Sequence, residues 1–372
     1  MIYKILRRLG LGGAAYNVLR PFTKRNCELP SLQEALELLG SIDADVGRSC
    51  ITQEALPPES GNELDVIIPA YNAEKFLRES IDSVLGQKTG CRFGVIVVDD
   101  GSADATGAIL DEYAQSGKIR LLHQENRGAA AARNAGLRMS GAKYVMFHDA
   151  DDIMNDSAIE ELMQLAGEKN AAVVDGAYCV ISENGGRMFG TKHESGRIYD
   201  QVKCNGLPCG CVLRRSLFDG VQFPEGYWYE DSVIYQILLP LAFAAEGGVY
   251  GTSAEIFSYR SNPRGATQGW NSRPKSVDSL WVTLRLYEDR KHLGIESTQD
   301  YGRYILSMIA TTYRRTHSLP GNVRKAIFVV WADFLDREFK DFDFSGDRLE
   351  TLKKLMDTRD YEAYELYCRL NK

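Results

Sequence analysis

Lys143–Ile153 reads KYVMFHDADDI, an aromatic and aliphatic run followed by three aspartates in four positions. The apolar run Tyr144–Phe147, stopped by polar residues, predicts a buried strand. A turn leaving that strand needs one acid at most. Asp149, Asp151 and Asp152 together repel one another, so something positive belongs over the strand end. Asp149 and Asp151 stand at i and i+2 on a chain leaving a strand, and their side chains can point to the same side. Hard oxygen donors in that arrangement suit Mg²⁺ or Mn²⁺, which takes one or two carboxylates and fills its shell with water and substrate phosphates. The plainer reading is an acidic turn that caps a helix starting near Ser157.

Working towards the N-terminus, the same alternation repeats three times. LDVII (Leu64–Ile68) is a short apolar run that Pro69 stops. Asn72 is placed to cap a helix whose apolar face is Phe76, Leu77, Ile81, Val84 and Leu85. FGVIVVDDGS (Phe93–Ser102) predicts a second strand, with Asp104 capping a helix that carries Ile109, Leu110 and Tyr113. IRLLH (Ile119–His123) predicts a third strand, and GAAAARNAGLRM (Gly128–Met139) an alanine-rich helix. Strands alternating with three-turn helices predict an α/β fold with a doubly wound, mostly parallel sheet. Ligands of such sheets lie off the carboxyl ends of the strands. Asn72, Asp99, Asp100, Arg127, Asp149 and Asp151 all fall at those ends.

The residue types there match a nucleotide. Asp99 or Asp100 can accept a hydrogen bond from a base N–H, and Gly101-Ser102 lets the backbone come close. Arg127 and Arg133 bracket the start of the alanine-rich helix, whose free N–H groups and dipole favour phosphate. A salt bridge within the domain is the competing role for Arg133. GLGGAA (Gly10–Ala15) has the look of a dinucleotide-binding loop, but it follows a basic helix-like segment rather than a strand.

The totals narrow the class. The chain has 372 residues, enough for one large decorated domain or two. It is 44% apolar and 26% charged, an ordinary globular balance. A net charge of −7 speaks against nucleic acid as a partner. Residues 1–25 are the exception, with Lys4, Arg7, Arg8, Arg20, Lys24 and Arg25 and no acid. The eight cysteines lack the spacing of a secreted scaffold and read as reduced, cytoplasmic thiols. Cys204, Cys209 and Cys211 cluster, but without the CxxC knuckle and fourth ligand of a zinc site. No apolar run approaches the ~20 residues of a membrane span, and no secretory signal is present.

Taken in order, VIIPAYNAEKFLRESIDSVLGQ, VIVVDDGSADAT, NRGAAAARNAGL and YVMFHDADD resemble the motifs of a family 2 glycosyltransferase of the GT-A fold, the bacterial polysaccharide and capsule type. The resemblance runs from about Leu64 to Arg264 and includes a fifth motif, FPEGYWYEDSVIYQILL (Phe223–Leu239). There Glu230 and Asp231 are expected in the first turn of a helix with an apolar face of Val233, Ile234, Ile237, Leu238 and Leu241, where negative charge is favoured.

The resemblance implies a metal-dependent, inverting transfer from a nucleotide diphospho-sugar, most often a UDP-sugar, to a hydroxyl of a glycan or lipid-linked acceptor. Asp231 would be the general base. Pro69, Ala70 and Tyr71 would line the base pocket, and Asp100, with Asp99, would hold the uracil edge. Arg127 would sit near base or phosphates, and Asp149 near ribose or metal. Asp151 would be the main ligand of Mn²⁺ or Mg²⁺. Arg264, in YRSNPRGAT (Tyr259–Thr267), would clamp a phosphate. Two positions depart from the pattern: Cys209 and Cys211 stand where relatives often carry Lys or Asn.

Three regions follow: a basic, helical extension (1–60), the GT-A domain (61–273) and a helical region (274–372). Residues 177–199 predict two edge strands around an Asn184-Gly185-Gly186 turn, flanking the acceptor side. Ile2, Ile5, Leu6 and Leu9 on a basic helix suit either an anionic membrane surface or packing on its own domain; the expected place is the cytoplasm, at the inner membrane face in the first case. The aromatic faces after residue 274 predict a bundle core or a homodimer contact. The alternative to an enzyme is an inactive nucleotide-sugar-binding scaffold, against which Asp149, Asp151 and Asp231 stand intact.

Overall fold

The computed structural model describes residues 12–23, 27–43, 47–59, 61–262, 273–346 and 349–371. The basic segment 1–11 and Arg264 lie outside them. The chain divides into two compact units. One holds Gly47–Gln268 and Arg285–Ile295, the other Met1–Val46, Gly269–Leu284 and Glu296–Lys372.

The first unit is built on a ten-stranded sheet. Its strands are β1 (Leu64–Ala70), β2 (Phe93–Asp99), β3 (Arg120–His123), β4 (Tyr144–Phe147) and β5 (Ile153–Met154), then β6 (Val173–Ser182), β7 (Arg187–Gly190), β8 (Gly196–Ile198), β9 (Cys211–Arg214) and β10 (Val249–Ser261). The order is β3-β2-β1-β4-β9-β6-β10-β5, with β7 beside β6 and β8 beside β10. β1 pairs in parallel with both β2 and β4, and β2 with β3. β9 runs antiparallel to β4 and β6, so the sheet is mixed beyond β4.

The chain winds outward through β1, β2 and β3, then returns to place β4 on the other side of β1. The crevice off the carboxyl ends of β1 and β4 is therefore the switch point, where an α/β sheet takes its ligand. Val66, Ile68, Val95, Val97 and Met146 pack on helices Leu77–Leu85, Thr106–Gln115 and Ala158–Lys169. Ile67 faces the opposite way, onto helix Ala129–Met139. There a Cβ on Gly136 would come within 2.3 Å of the Ile67 side chain, so helix and sheet meet this closely only at glycine. Aromatic rings extend that face, with Phe147 at 5.0 Å from Phe223 and 6.0 Å from Phe218.

Several local expectations change. β1 does not stop at Pro69 but runs to Ala70. Ile67, and hence Pro69, points its backbone groups towards β4, yet β4 ends at Phe147 opposite Ile67. The missing proline N–H breaks no ladder bond there. Asn72 does not cap a helix, which starts only at Leu77. It takes φ 48° and binds the next loop, its Oδ1 accepting the Ala103 N–H at 2.8 Å. Residues 177–199 do turn at Gly185 (φ 82°), but β6 is an interior strand between β9 and β10 rather than an edge.

The second unit is helical. Helices Gln299–Thr316, Gly321–Glu338, Glu350–Asp357 and Tyr361–Leu370 bury Trp331, Phe328, Phe339 and Tyr364. Helix Gly321–Glu338 also packs on helix Leu32–Ile42, which a Ser31–Glu34 capping box begins. The aromatic faces are thus covered inside this unit. No described helix is long and apolar enough to cross a membrane.

Candidate active site

The carboxyl ends of β1, β2 and β4 bring the predicted residues together. Ala70 is buried and Tyr71 beside it is 52% exposed. Asp99 and Asp100, at the end of β2, are both buried and already engaged. Asp100 accepts the Arg127 and Gly128 N–H groups at 2.9 and 2.8 Å and the Gln124 side-chain amide at 2.7 Å. Asp99 accepts the Ser102 N–H at 3.0 Å and meets His123 Nδ1 at 2.8 Å. Their visible work is to shape the loops after β2 and β3. Arg127 is half-exposed and pairs with Glu225 at 2.6 Å.

Arg133 makes the salt bridges that were its competing role. It is 5% exposed, and its guanidinium bridges two acidic motifs. Nη2 donates to Asp149 at 3.0 Å, and Nη1 donates to Glu230. The Phe223 ring lies 5.4 Å below it. Burial alone would lower the Arg133 pKa, but Asp149 and Glu230 outweigh it and raise it. The second turn of an alanine-rich helix is a suitable base for such a bridge, because its small neighbours let the guanidinium pass beneath the strand ends.

The acids over β4 differ in support. Asp149 is partly exposed. Asp151 accepts from Asn262 at 3.0 Å, and its carbonyl accepts from Arg260 Nε at 2.8 Å. Asp152 is 1% exposed, with Oδ1 on the Arg260 N–H at 2.8 Å and Oδ2 without a partner. Burial, then the charges of Asp149 and Asp151, push the Asp152 carboxyl well above its usual range. Burial raises Asp151 and Glu230 as well. His148, fully buried with neither ring nitrogen bonded, is driven down to about 4 by burial and stays neutral.

Three features escape sequence reading. Arg260 is 4% exposed and locks the acidic loop, binding Asp151, Asp152, the Glu183 carbonyl and Glu79 (2.7 Å). The segment Ile234–Leu238 is a π-turn, so Glu230 and Asp231 precede the helix rather than sit in its first turn. Pro240 is the signal that was available. Having no N–H, it leaves the Gln236 carbonyl open, and Arg290 Nη1 fills that place. Third, the thiol of Cys209 comes within 4.8 Å of carboxylate oxygens of Asp149 and Asp152.

Known proteins agree with this frame. Residues 65–221 match the model of Glycosyl transferase family 2. The glycosyltransferase GlyG of Streptococcus pneumoniae is 33% identical over 187 residues, 45% of this chain and 62% of GlyG. The match thus spans less than two thirds of that relative. The glycosyltransferase TuaG of Bacillus subtilis is 28% identical over 232 residues, 60% of this chain and 88% of TuaG. Among solved structures, TarS 1-349 of S. aureus in complex with UDP-GlcNAc superposes with a TM-score of 0.62 at 16% identity, over 83% of this chain and 90% of that one. The switch-point crevice and the acidic loop after β4 both fall within residues 65–221, the segment that matches the family 2 glycosyltransferases.

Proposed function

We propose that this protein moves a sugar from a nucleotide diphospho-sugar, of the UDP class, to a hydroxyl of a glycan or lipid-linked acceptor in polysaccharide synthesis, with inversion at the anomeric carbon. The carrying observation is Arg133, which ties Asp149 of the acidic loop to Glu230, the neighbour of Asp231. A donor-side acid and the neighbour of the candidate base are thereby held on one buried cation. The UDP-GlcNAc bound by TarS, and the name of TuaG as a candidate for teichuronic acid biosynthesis, support the donor class and the setting.

The donor set fits a divalent cation. Asp149 is partly exposed and commits one oxygen to Arg133, and burial raises the neighbouring Asp151 carboxyl, an acid short of positive charge. Asp149 and Asp151 would hold Mg²⁺ or Mn²⁺, which when bound neutralises charge growing on a leaving diphosphate. Asp231 receives the acceptor hydroxyl's proton as that oxygen attacks the anomeric carbon from the face opposite the diphosphate. Base assistance of this kind is worth about 10²–10⁴ in rate. A carboxylate suffices because the proton moves late, once bond formation has acidified the hydroxyl. Arg133 fixes the Glu230–Asp231 peptide and compensates the charge of Asp149. Tyr71 offers an exposed ring to the base, while Asp100 holds the 124–128 loop around it. Arg264 would clamp a phosphate of donor or acceptor. The basic residues of 1–25 would bring the enzyme to the cytoplasmic membrane face.

Purified protein with a panel of UDP-sugars and lipid-linked acceptors tests this. Wild type should transfer, and Asp231→Asn should bind UDP but not transfer. Near-normal transfer by Asp231→Asn would remove it as base.

A further inference from the structure

Cys209 has no part in the transfer chemistry above, yet it stands at the acidic loop. It follows Pro208, sits beside the end of β4 in a bridge with Phe147, and is 5% exposed. Gly210 after it has φ 81°, and a Cβ there would meet the Phe257 ring at 2.5 Å. The turn from Cys209 into β9 therefore requires glycine, and it fixes where the thiol lies. One donor atom each from Asp149, Asp152 and Cys209 lies within 4.8 Å of the other two. The second, independent sign of a ligand is the Oδ2 of Asp152, which is buried and has no hydrogen-bond partner. A buried carboxylate oxygen without donor or cation is costly, of the order of a few kcal/mol.

We propose that Asp149, Asp152 and Cys209 form a mixed carboxylate–thiolate site for a borderline-soft divalent cation of the zinc class. It shares Asp149 with the donor site proposed above, but its formation needs neither nucleotide nor transfer. Tetrahedral bonds of about 2.0–2.3 Å place donor atoms roughly 3.5 Å apart, so a contraction of about an ångström closes the group. Sulfur shifts the preference from Mg²⁺ towards Zn²⁺ and Cd²⁺. The cation forms a bond to Sγ, the S–H bond breaks, and its proton leaves to solvent together with any proton held on Asp152, at least one per cation bound. A Zn²⁺ ion held there occupies Asp149 and so competes with Mg²⁺ or Mn²⁺. The same position that departs from the family pattern thus makes this enzyme zinc-sensitive.

The test uses Cd²⁺ alone as probe, on full-length protein carrying Cys27→Ser and Cys91→Ser to remove the less buried thiols. Titration should raise an ultraviolet thiolate-to-cadmium absorption that saturates at one ion per chain, with release of at least one proton. Cys209→Ser, nearly isosteric, should abolish the band, and Asp152→Asn should weaken binding at least tenfold. Cys204→Ser and Cys211→Ser should keep it. Thermal melts of each variant check folding. An unchanged band in Cys209→Ser, loss of the band in Cys211→Ser instead, or no band in the parent protein would overturn the site. Absence of sugar transfer with the band intact would count against the proposed function and leave the cation site standing.

Discussion

Two buried acid clusters in this chain have opposite characters. In the helical unit, Glu365 is 7% exposed and fully supported. Tyr361 Oη donates to it at 2.7 Å, Arg324 Nε at 2.6 Å and Arg369 Nη2 at 2.6 Å. Burial would raise its pKa, but those donors win and hold it below the usual range. In the sheet unit, Asp151, Asp152 and Glu230 are all raised, with burial as the leading cause. Asp152 even keeps one oxygen unbonded. A satisfied acid cluster belongs to the fold. One left short of positive charge is a place where a ligand completes the balance.

The largest expected effect is on chemistry. Asp231→Asn should lower transfer by about 10²–10⁴ while leaving nucleotide affinity within a few-fold, read from kcat against the Kd for UDP. Arg133→Leu comes next and joins the two concerns. It leaves the largely buried Glu230 and the partly exposed Asp149 without their shared cation, so it should cost about 3–5 kcal/mol in denaturant unfolding and abolish transfer. If it loses stability alone and keeps kcat, the bridge is structural and the contrast above fails.

Glu365→Gln probes the satisfied cluster. It should cost about 1.5–3 kcal/mol at pH 7 with activity of the folded enzyme unchanged. Because the folded pKa of Glu365 is depressed, its contribution is present above about pH 4.3 and is lost as pH falls through the folded value. The difference between wild type and Glu365→Gln should therefore shrink below pH 4; a constant difference would mean packing, not charge. The smallest effect expected is for Asp151→Ala. If Asp151 is a metal ligand as proposed, its loss weakens UDP binding about tenfold with Mn²⁺ present and hardly at all without it.

Much of the sheet unit was legible because its first half obeys local rules. β1 to β4 are apolar runs ending in polar residues, and their helices carry one apolar face each. The site residues at those strand ends followed from topology alone. What was hidden depends on contacts distant in sequence. Arg260 locks the acidic loop from 109 residues further along the chain. Its strand, β10, mixes buried and part-buried positions without clean alternation, so nothing local marked the arginine as interior. Arg133 left two roles open from sequence, phosphate or salt bridge, and the bridge to Glu230 comes from contacts 97 residues apart. Asp152 looked like a third copy of its neighbours. Its burial beneath Arg260 and beside Cys209 is a tertiary fact.

The most direct measurement is calorimetric titration of UDP into the folded wild-type protein, with and without Mn²⁺, repeated on Asp231→Asn. A cation-completed acidic site predicts binding that requires Mn²⁺ and survives in Asp231→Asn. Absence of binding by UDP and by other nucleoside diphosphates, or equal UDP binding with and without the cation, would contradict it.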